Sequence, residues 1–471
     1  MKEMVQKKLN DSPFMRWTAL VLLASAMFFG YIFMDILSPL QELLQTQRGW
    51  DPVAYGHYAG SETFLNVFVF FLIFAGIILD KMGVRFTAIL SGSVMLLGAL
   101  INWYAVSDAF MGSGAETFMN NFLNLPSAWW NVTPFYEGMP ASAKMSACGF
   151  MLFGCGVEMA GITVSRGIVK WFKGKEMALA MGVEMAIARV GVAVVVLGSP
   201  FLASIHPVNV SRPVAVAVLL LLIGLISFIC YAVMDKKLDA QGAEEEKDDP
   251  FRISDLGKIL SSKVFWLVAL LCVLYYSAIF PFQKYAINML QCNLGYTSEQ
   301  AGLVFFVFPL GAAAITPFLG NYLDRKGKGA SMLMLGAVLM ILCHLSFALL
   351  LPATESVLIA YLSIILLGIS FSLVPAALWP SVPKLVDGRL LGSAYAVIFW
   401  IQNIGLYAFP MIIGSVIQSS NPGVTNPLEY NYTVPMLVFA SLGVFALILG
   451  FWLKAEDKKK GYGLEEPNIK N

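Results

Sequence analysis

The chain has 471 residues, 58% of them hydrophobic and only 13% charged, with 31 Lys and Arg against 30 Asp and Glu. Mean hydropathy is +0.72. Soluble domains run to about half apolar and a quarter charged, so water is excluded as the solvent for most of this surface.

A hydrocarbon core about 30 Å thick takes roughly 20 apolar residues per helix. Residues 1–15 are a polar, basic N-terminal tail, and the first apolar run after them is long enough to span rather than to be a cleaved signal. Spans are expected at 16–39, 56–79, 86–107, 144–166, 176–204 and 212–234, then at 263–285, 298–321, 329–350, 355–379, 392–418 and 433–455. Residues 16–234 therefore read as an N-terminal six-helix bundle and 263–455 as a C-terminal one. Between them, 235–262 is a charged cytoplasmic linker whose latter part suits an interfacial amphipathic helix. Residues 456–471 are a C-terminal tail. The alternating runs of a membrane β-barrel are absent. The expected fold class is an all-α membrane protein of twelve transmembrane helices, two six-helix bundles with pseudo-two-fold symmetry.

Placing the N-terminus in the cytoplasm puts 26 of the 31 basic residues on that side. Arg48, Lys144, Arg212 and Lys284 then lie outside and Arg189 lies mid-helix. The positive-inside rule thus sets both termini in the cytoplasm. The longest outer loop, 107–144, is rich in Asn, Gly and aromatics and is expected to fold over the outer mouth. The six cysteines form no CxxC pair and read as small packing groups, as does His344. No metal or cofactor is expected, and no nucleic acid partner. The lipid bilayer is the solvent and a small molecule the ligand, with an accessory subunit left open.

After span two comes Gly76, Asp80, Lys81, Gly83 and Arg85. After span eight comes Gly320, Asp324, Arg325 and Gly327, with Gly329 where Arg85 stands in the first copy. The leading Gly permits close helix approach, the Asp suits a neighbouring helix N-terminus, the second Gly makes the turn, and the basic residues reach headgroups. This paired G-x-x-x-D-[KR]-x-G element resembles the loop signature of the major facilitator superfamily. The resemblance implies a carrier working by alternating access, in which these elements lock the bundles together on the cytoplasmic side. The missing second Arg implies a weaker second lock.

Ionisable residues inside spans are costly and mark functional sites. Arg189 lies about 20 Å above the cytoplasmic start of span five at 1.5 Å per residue, and Glu158 lies at comparable depth in span four. Glu184, five residues before Arg189, points elsewhere. Two readings compete for the pair: a structural ion pair between neighbouring helices, or a wet cavity walled by one cation and one anion, suited to a zwitterion.

The runs FKGKEMALAMGVEMAIARVG, CVLYYSAIFPF, SLVPAALWPSVPKLV and LGSAYAVIFWIQNIGL resemble the major facilitator superfamily domain-containing protein 1 family, lysosomal dipeptide uniporters. That likeness implies that Glu158 meets a peptide amino terminus and Arg189 its carboxylate, chemistry suited to a carboxylate and a forked guanidinium. Tyr275, Tyr276, Phe280 and Trp379 either line the cavity or pack helices. Gln402 and Asn403 either bond a peptide backbone or join helices. Asp35 reads as a helix cap, with the outer gate as its alternative, and Gln283 and Lys284 as snorkelling groups. The N-terminal tail carries no acidic dileucine signal, which favours a plasma or bacterial inner membrane over a lysosome. Transport of dipeptides or similar zwitterions is the expected function. Proton-coupled carboxylate transport, with Glu158 or Glu184 carrying the proton, and a non-transporting receptor or scaffold are its rivals. No nucleophile–base constellation suggests an enzyme.

Overall fold

The computed structural model describes residues 8–126, 133–241, 253–387 and 390–467. Eleven helices there are long and apolar enough to cross a membrane. The first is Pro13–Met34. Spans three to seven run in Phe71–Val106, Ala141–Phe172, Met177–Ser204, Ser211–Asp239 and Lys263–Leu294. Span eight is Ser298–Phe305 continued as Val307–Lys326. Spans nine to twelve begin with Gly329–Leu345, Val357–Leu378, Leu391–Ser420 and Thr433–Lys460.

The twelfth crossing is span two, which is a broken helix rather than a continuous one. Asp51 caps Ala54 N at 2.7 Å and opens Pro52–Ser61, with Pro52 in the first turn where its missing N–H costs nothing. The helix stops before Thr63, resumes as Phe64–Phe68, and stops again at Phe70, whose φ of 56° is left-handed. The chain then enters the long helix that carries the end of span two into span three. The corner between them is Gly83, at φ 76° and ψ 169°. Its counterpart after span eight, Gly327, is at φ 72°. Only glycine takes such angles without penalty, so both turns fall where the repeated element places them.

The two halves pack alike. Span three lies on four and six as nine lies on ten and twelve, and span one lies on five and six as seven lies on eleven and twelve. Between the halves, span two lies on eleven as eight lies on five. The pseudo-two-fold relation is therefore present in the pairings themselves.

An even number of crossings puts both ends of the chain on one face, here the terminal face. Its polar groups tie each half to itself. Arg16 holds Glu176 at 2.8 Å and Lys175 holds Asp11 at 3.0 Å. These bonds draw both exposed carboxyls below their usual range. Span six continues beyond the expected start of the linker. Asp235 is buried and takes Lys170 Nζ at 2.7 Å and the Trp171 indole at 3.0 Å. Charge there marks a packed helix end, because span four supplies the partners. Residues 242–252 of the linker lie outside the described residues, and Ile253–Leu260 is helical.

The described part of the 107–144 loop packs on the first bundle. Its helix, Gly114–Asn121, packs Met119 with Phe110 against Ala141 of span four, and Tyr136 lies 4.9 Å from the His57 ring in span two. Apolar and aromatic groups in the loop thus find their cover on the first bundle itself. The mouth is bridged by shorter segments. Gln45 donates to the Tyr430 hydroxyl at 2.8 Å, Gln291 donates to Glu42 at 3.1 Å, and Gln41 donates to the Lys284 carbonyl at 2.6 Å.

Candidate functional site between the bundles

Arg189 and Glu158 do not form an ion pair. Arg189 Nη1 crosses to span eight, donating to Thr316 Oγ1 at 2.6 Å and to the Ala312 carbonyl at 3.0 Å. Its guanidinium carbon sits 4.9 Å from the centre of the Phe371 ring in span ten. Glu158 Oε1 receives Asn403 Nδ2 of span eleven at 3.5 Å. Neither charge has an ionic partner among the described residues, and both side chains are half-buried. A helix-to-helix salt bridge is thus ruled out as the reason for two charges at this depth. Each reaches across the interface to uncharged groups of the other half.

Around Arg189 the structure gathers three of the expected aromatics. Phe371 meets Phe280 edge-on at 5.6 Å, Phe280 stacks on Tyr276 at 5.5 Å, and Tyr276 lies 6.2 Å from Trp379. The Trp379 indole donates to the Tyr276 hydroxyl at 3.1 Å, fixing both rings. This wall is continuous, with Phe371 buried and the other three rings half-buried. Aromatic faces beside a guanidinium suit both the cation and an apolar side chain.

Tyr275 and Gln402 take the packing alternative in this structure. Tyr275 is fully buried and its hydroxyl donates to the Leu333 carbonyl of span nine. Adjacent residues on a helix point about 100° apart, so Tyr275 and Tyr276 cannot both face the interface. Gln402 is turned inside its own bundle, its Oε1 accepting from the Cys272 thiol at 3.3 Å. Its neighbour Asn403 takes the interface position. Gln283 and Lys284 do not snorkel. Lys284 Nζ lies between the bundles, 2.8 Å from Asp35 Oδ1, and Gln283 Nε2 donates to Asp35 Oδ2. Asp35 is therefore more than a helix cap.

Glu62, Thr316 and Phe371 had no place among the expected residues. Glu62 meets the same rule as Glu158, an ionisable residue within a span, but it lies close to the expected start of span two, where such groups are ordinary. Gly154 of span four brings it in: a Cβ there would fall 1.8 Å from the Glu62 carbonyl oxygen. One turn on, Glu158 lies on the same face of span four. Thr63 next to Glu62 donates to the Asn403 carbonyl at 3.4 Å. Glu62, Thr63, Asn403 and Glu158 thus form one patch.

On the terminal face, Asp80 accepts from Arg166 of span four at 2.6 Å, and Arg85 lies 3.3 Å from Asp239 of span six. Lys81 and Arg325 are exposed, Asp324 is half-buried, and an added Cβ on Gly76 or Gly320 would meet nothing within 4 Å. In this conformation the first element therefore ties its own bundle together. The second is held by the C-terminal segment. Gly329 N donates to the Leu464 carbonyl at 3.0 Å, Lys328 N to the Glu465 carbonyl at 2.9 Å, and Ser331 N and Oγ both donate to the Glu465 carboxylate. Among the described residues no group of three metal-binding side chains occurs.

The Major Facilitator Superfamily profile matches residues 23–410 and 282–468, nearly the whole chain. This chain belongs to that superfamily. Relatives include the lysosomal dipeptide transporter MFSD1 of Danio rerio, 30% identical over 281 residues, 57% of this chain and 59% of that protein. The Homo sapiens MFSD1 is 27% identical over 283 residues, covering 58% and 59% respectively. The chain thus matches somewhat under two thirds of these relatives' length. Among solved structures, the nucleoside transporter NupG aligns with a TM-score of 0.65 at 13% identity, over 93% of this chain and 99% of that one. A bacterial homologue of the lysosomal transporter Spinster, in an inward-facing and occupied conformation, aligns at 0.62 and 14% identity over 94% and 98%. At such identities these structures establish the fold: a multi-pass integral membrane protein with the major facilitator architecture.

Proposed function

We propose that the chain is a secondary transporter that moves dipeptides or similar small zwitterions by alternating access of its two bundles. One observation carries the reading. Two opposite charges stand half-buried at the interface between the bundles, each without an ionic partner among the described residues. Burying them unpaired costs several kcal/mol, a cost that a scaffold would have no use for and a zwitterionic ligand offsets. Arg189 takes the substrate carboxylate through its fork, Glu158 the ammonium, and the Phe371–Phe280–Tyr276–Trp379 wall the side chains. The MFSD1 relatives, named as lysosomal dipeptide transporters, support this substrate class.

Rocking of the bundles would move the Arg189 and Glu158 contacts apart, because each bridges the two halves. Hydrogen bonds between the two bundles run from mid-membrane to the face opposite the termini. That pattern supports a state closed on that face. With the basic loops on the terminal face in the cytoplasm, it is an inward-facing state; the cycle proposed is uniport, with no imposed proton gradient.

Calorimetric titration of the purified chain with dialanine tests the reading. Saturable binding is expected, with a loss of at least tenfold on blocking the carboxylate as an amide, since a charge-assisted bidentate bond contributes about 1.5–3 kcal/mol. Binding of simple carboxylic acids in place of the peptide would overturn it in favour of an organic-anion carrier.

A further inference from the structure

The face opposite the termini is shut by a buried ionic cluster that belongs to both bundles. Lys284 of span seven places Nζ 2.8 Å from Asp35 Oδ1 and 2.8 Å from the Met34 carbonyl of span one, and 3.9 Å from Glu62 Oε2 of span two. The Lys284 ammonium also stands 5.7 Å above the Phe150 ring of span four. The side chains are 11% exposed for Lys284, 1% for Asp35 and 14% for Glu62, so water does little to screen them. Asp35 accepts from Gln283 as well and is fully engaged. Glu62 is not: its one cation is held more closely by Asp35, and the loose 3.9 Å contact is all it has from Lys284.

Counting charge makes the same point. Asp35, Glu62 and Glu158 line one path from the closed face toward mid-membrane, linked through Thr63 and Asn403, and Lys284 is their only ionic partner among the described residues. The path is short of positive charge, and Lys284 arrives on the bundle that must move. Glu62 itself sits in the break of span two, at the end of Pro52–Ser61, where the backbone is held against Gly154 of span four rather than within a rigid helix.

We propose that Glu62 is a second carboxylate of the substrate site, occupied by the substrate's ammonium when the outer face is open and by Lys284 when it is closed. Closing the outer face then delivers an ammonium from the protein to Glu62, and the substrate's own ammonium is passed inward to Glu158. Lys284 acts at once as the latch on Asp35 and as the competitor that clears Glu62. The substrate half rests on the dipeptide reading above; the latch half does not.

The test uses the full chain in two measurements. Dialanine and N-acetyl-dialanine are titrated against wild type, Glu62→Gln and Glu62→Asp, and hydrogen exchange is followed over the Pro52–Thr63 segment and the outer half of span seven. Glu62→Gln should cut the preference for the free amine by about tenfold, the loss expected for one charge-assisted bond, while preference for the free carboxylate over its amide is kept. Glu62→Asp should restore most of the amine preference. Exchange at the outer segments should rise severalfold in both Asp35→Asn and Lys284→Met. An unchanged amine preference in a Glu62→Gln protein that still binds dialanine overturns the proposal. If wild type binds neither peptide, the dipeptide reading fails, and exchange alone decides: faster in both Asp35→Asn and Lys284→Met sustains the latch, unaltered in either one sinks it.

Discussion

At Arg189 the demand is for shape as well as charge. The guanidinium donates to Thr316 and Ala312 while lying over Phe371, so lysine would keep the charge but lose the planar fork and the stacking. Arg189→Lys should therefore weaken dipeptide binding by about tenfold or more, whereas Thr316→Val should cost less, because the carbonyl contact remains. Calorimetry on the two variants orders these effects; equal losses would mean that charge alone matters there. Glu158 and Arg189 were legible in the sequence because charge is rare inside apolar runs. Their failure to pair was not, since depth along two helices fixes neither azimuth nor the reach of the side chains. Tyr275 and Tyr276 show the same limit: aromatic neighbours look equivalent in sequence, and the helix turn sends only one to the interface. Lys284 looked like a snorkelling group because its partners, Asp35 and Glu62, lie more than two hundred positions earlier.

Among the elements, span two carries the most information. Its break puts Glu62 beside the site, and Gly154 is the socket that holds it: an added methyl would overlap the Glu62 carbonyl at 1.8 Å. Gly154→Ala is expected to cost about 1–3 kcal/mol through forced backbone shifts, lowering the thermal unfolding midpoint by several degrees, and to weaken substrate binding along with it. A variant with unchanged midpoint and binding would show that the contact is dispensable. The hydropathy pattern gave the position of span two but not its fracture, because Asn66 is an isolated polar residue in an apolar run and no Pro or Gly stands among residues 61–70 to mark the break. The C-terminal segment supplies a second element-scale prediction. Glu465 holds three groups of the Lys328–Ser331 turn and Leu464 is 2% exposed beside it. Leu464→Asp should deprotect Gly327–Ser331 in hydrogen exchange while leaving the corresponding Gly83 turn untouched. Equal protection in the variant would mean that the turn holds itself. The repeated glycine–aspartate element foretold both turns, and gave no hint that different partners secure them.

For the whole molecule, the repeat is mechanical. The same helix pairings recur in both halves, and span two meets eleven as span eight meets five, so the interface that must open and close is built from two equivalent crossings. Asn403 of span eleven meets Thr63 of span two and Glu158 of span four at one, and Arg189 joins Thr316 at the other, which puts one of the two candidate charges beside each crossing. The count of spans, the basic loops and the paired elements made this architecture readable from sequence. Which face is shut was not readable, since it depends on contacts between residues hundreds of positions apart. The central claim is that these two charges grip one zwitterion as it crosses. Uptake of a labelled dipeptide into proteoliposomes, with no proton gradient imposed, tests it most directly. Saturable uptake that is lost in both Arg189→Ala and Glu158→Gln is the predicted result. Uptake that persists in both variants, or appears only for carboxylic acids under an inward proton gradient, would contradict it.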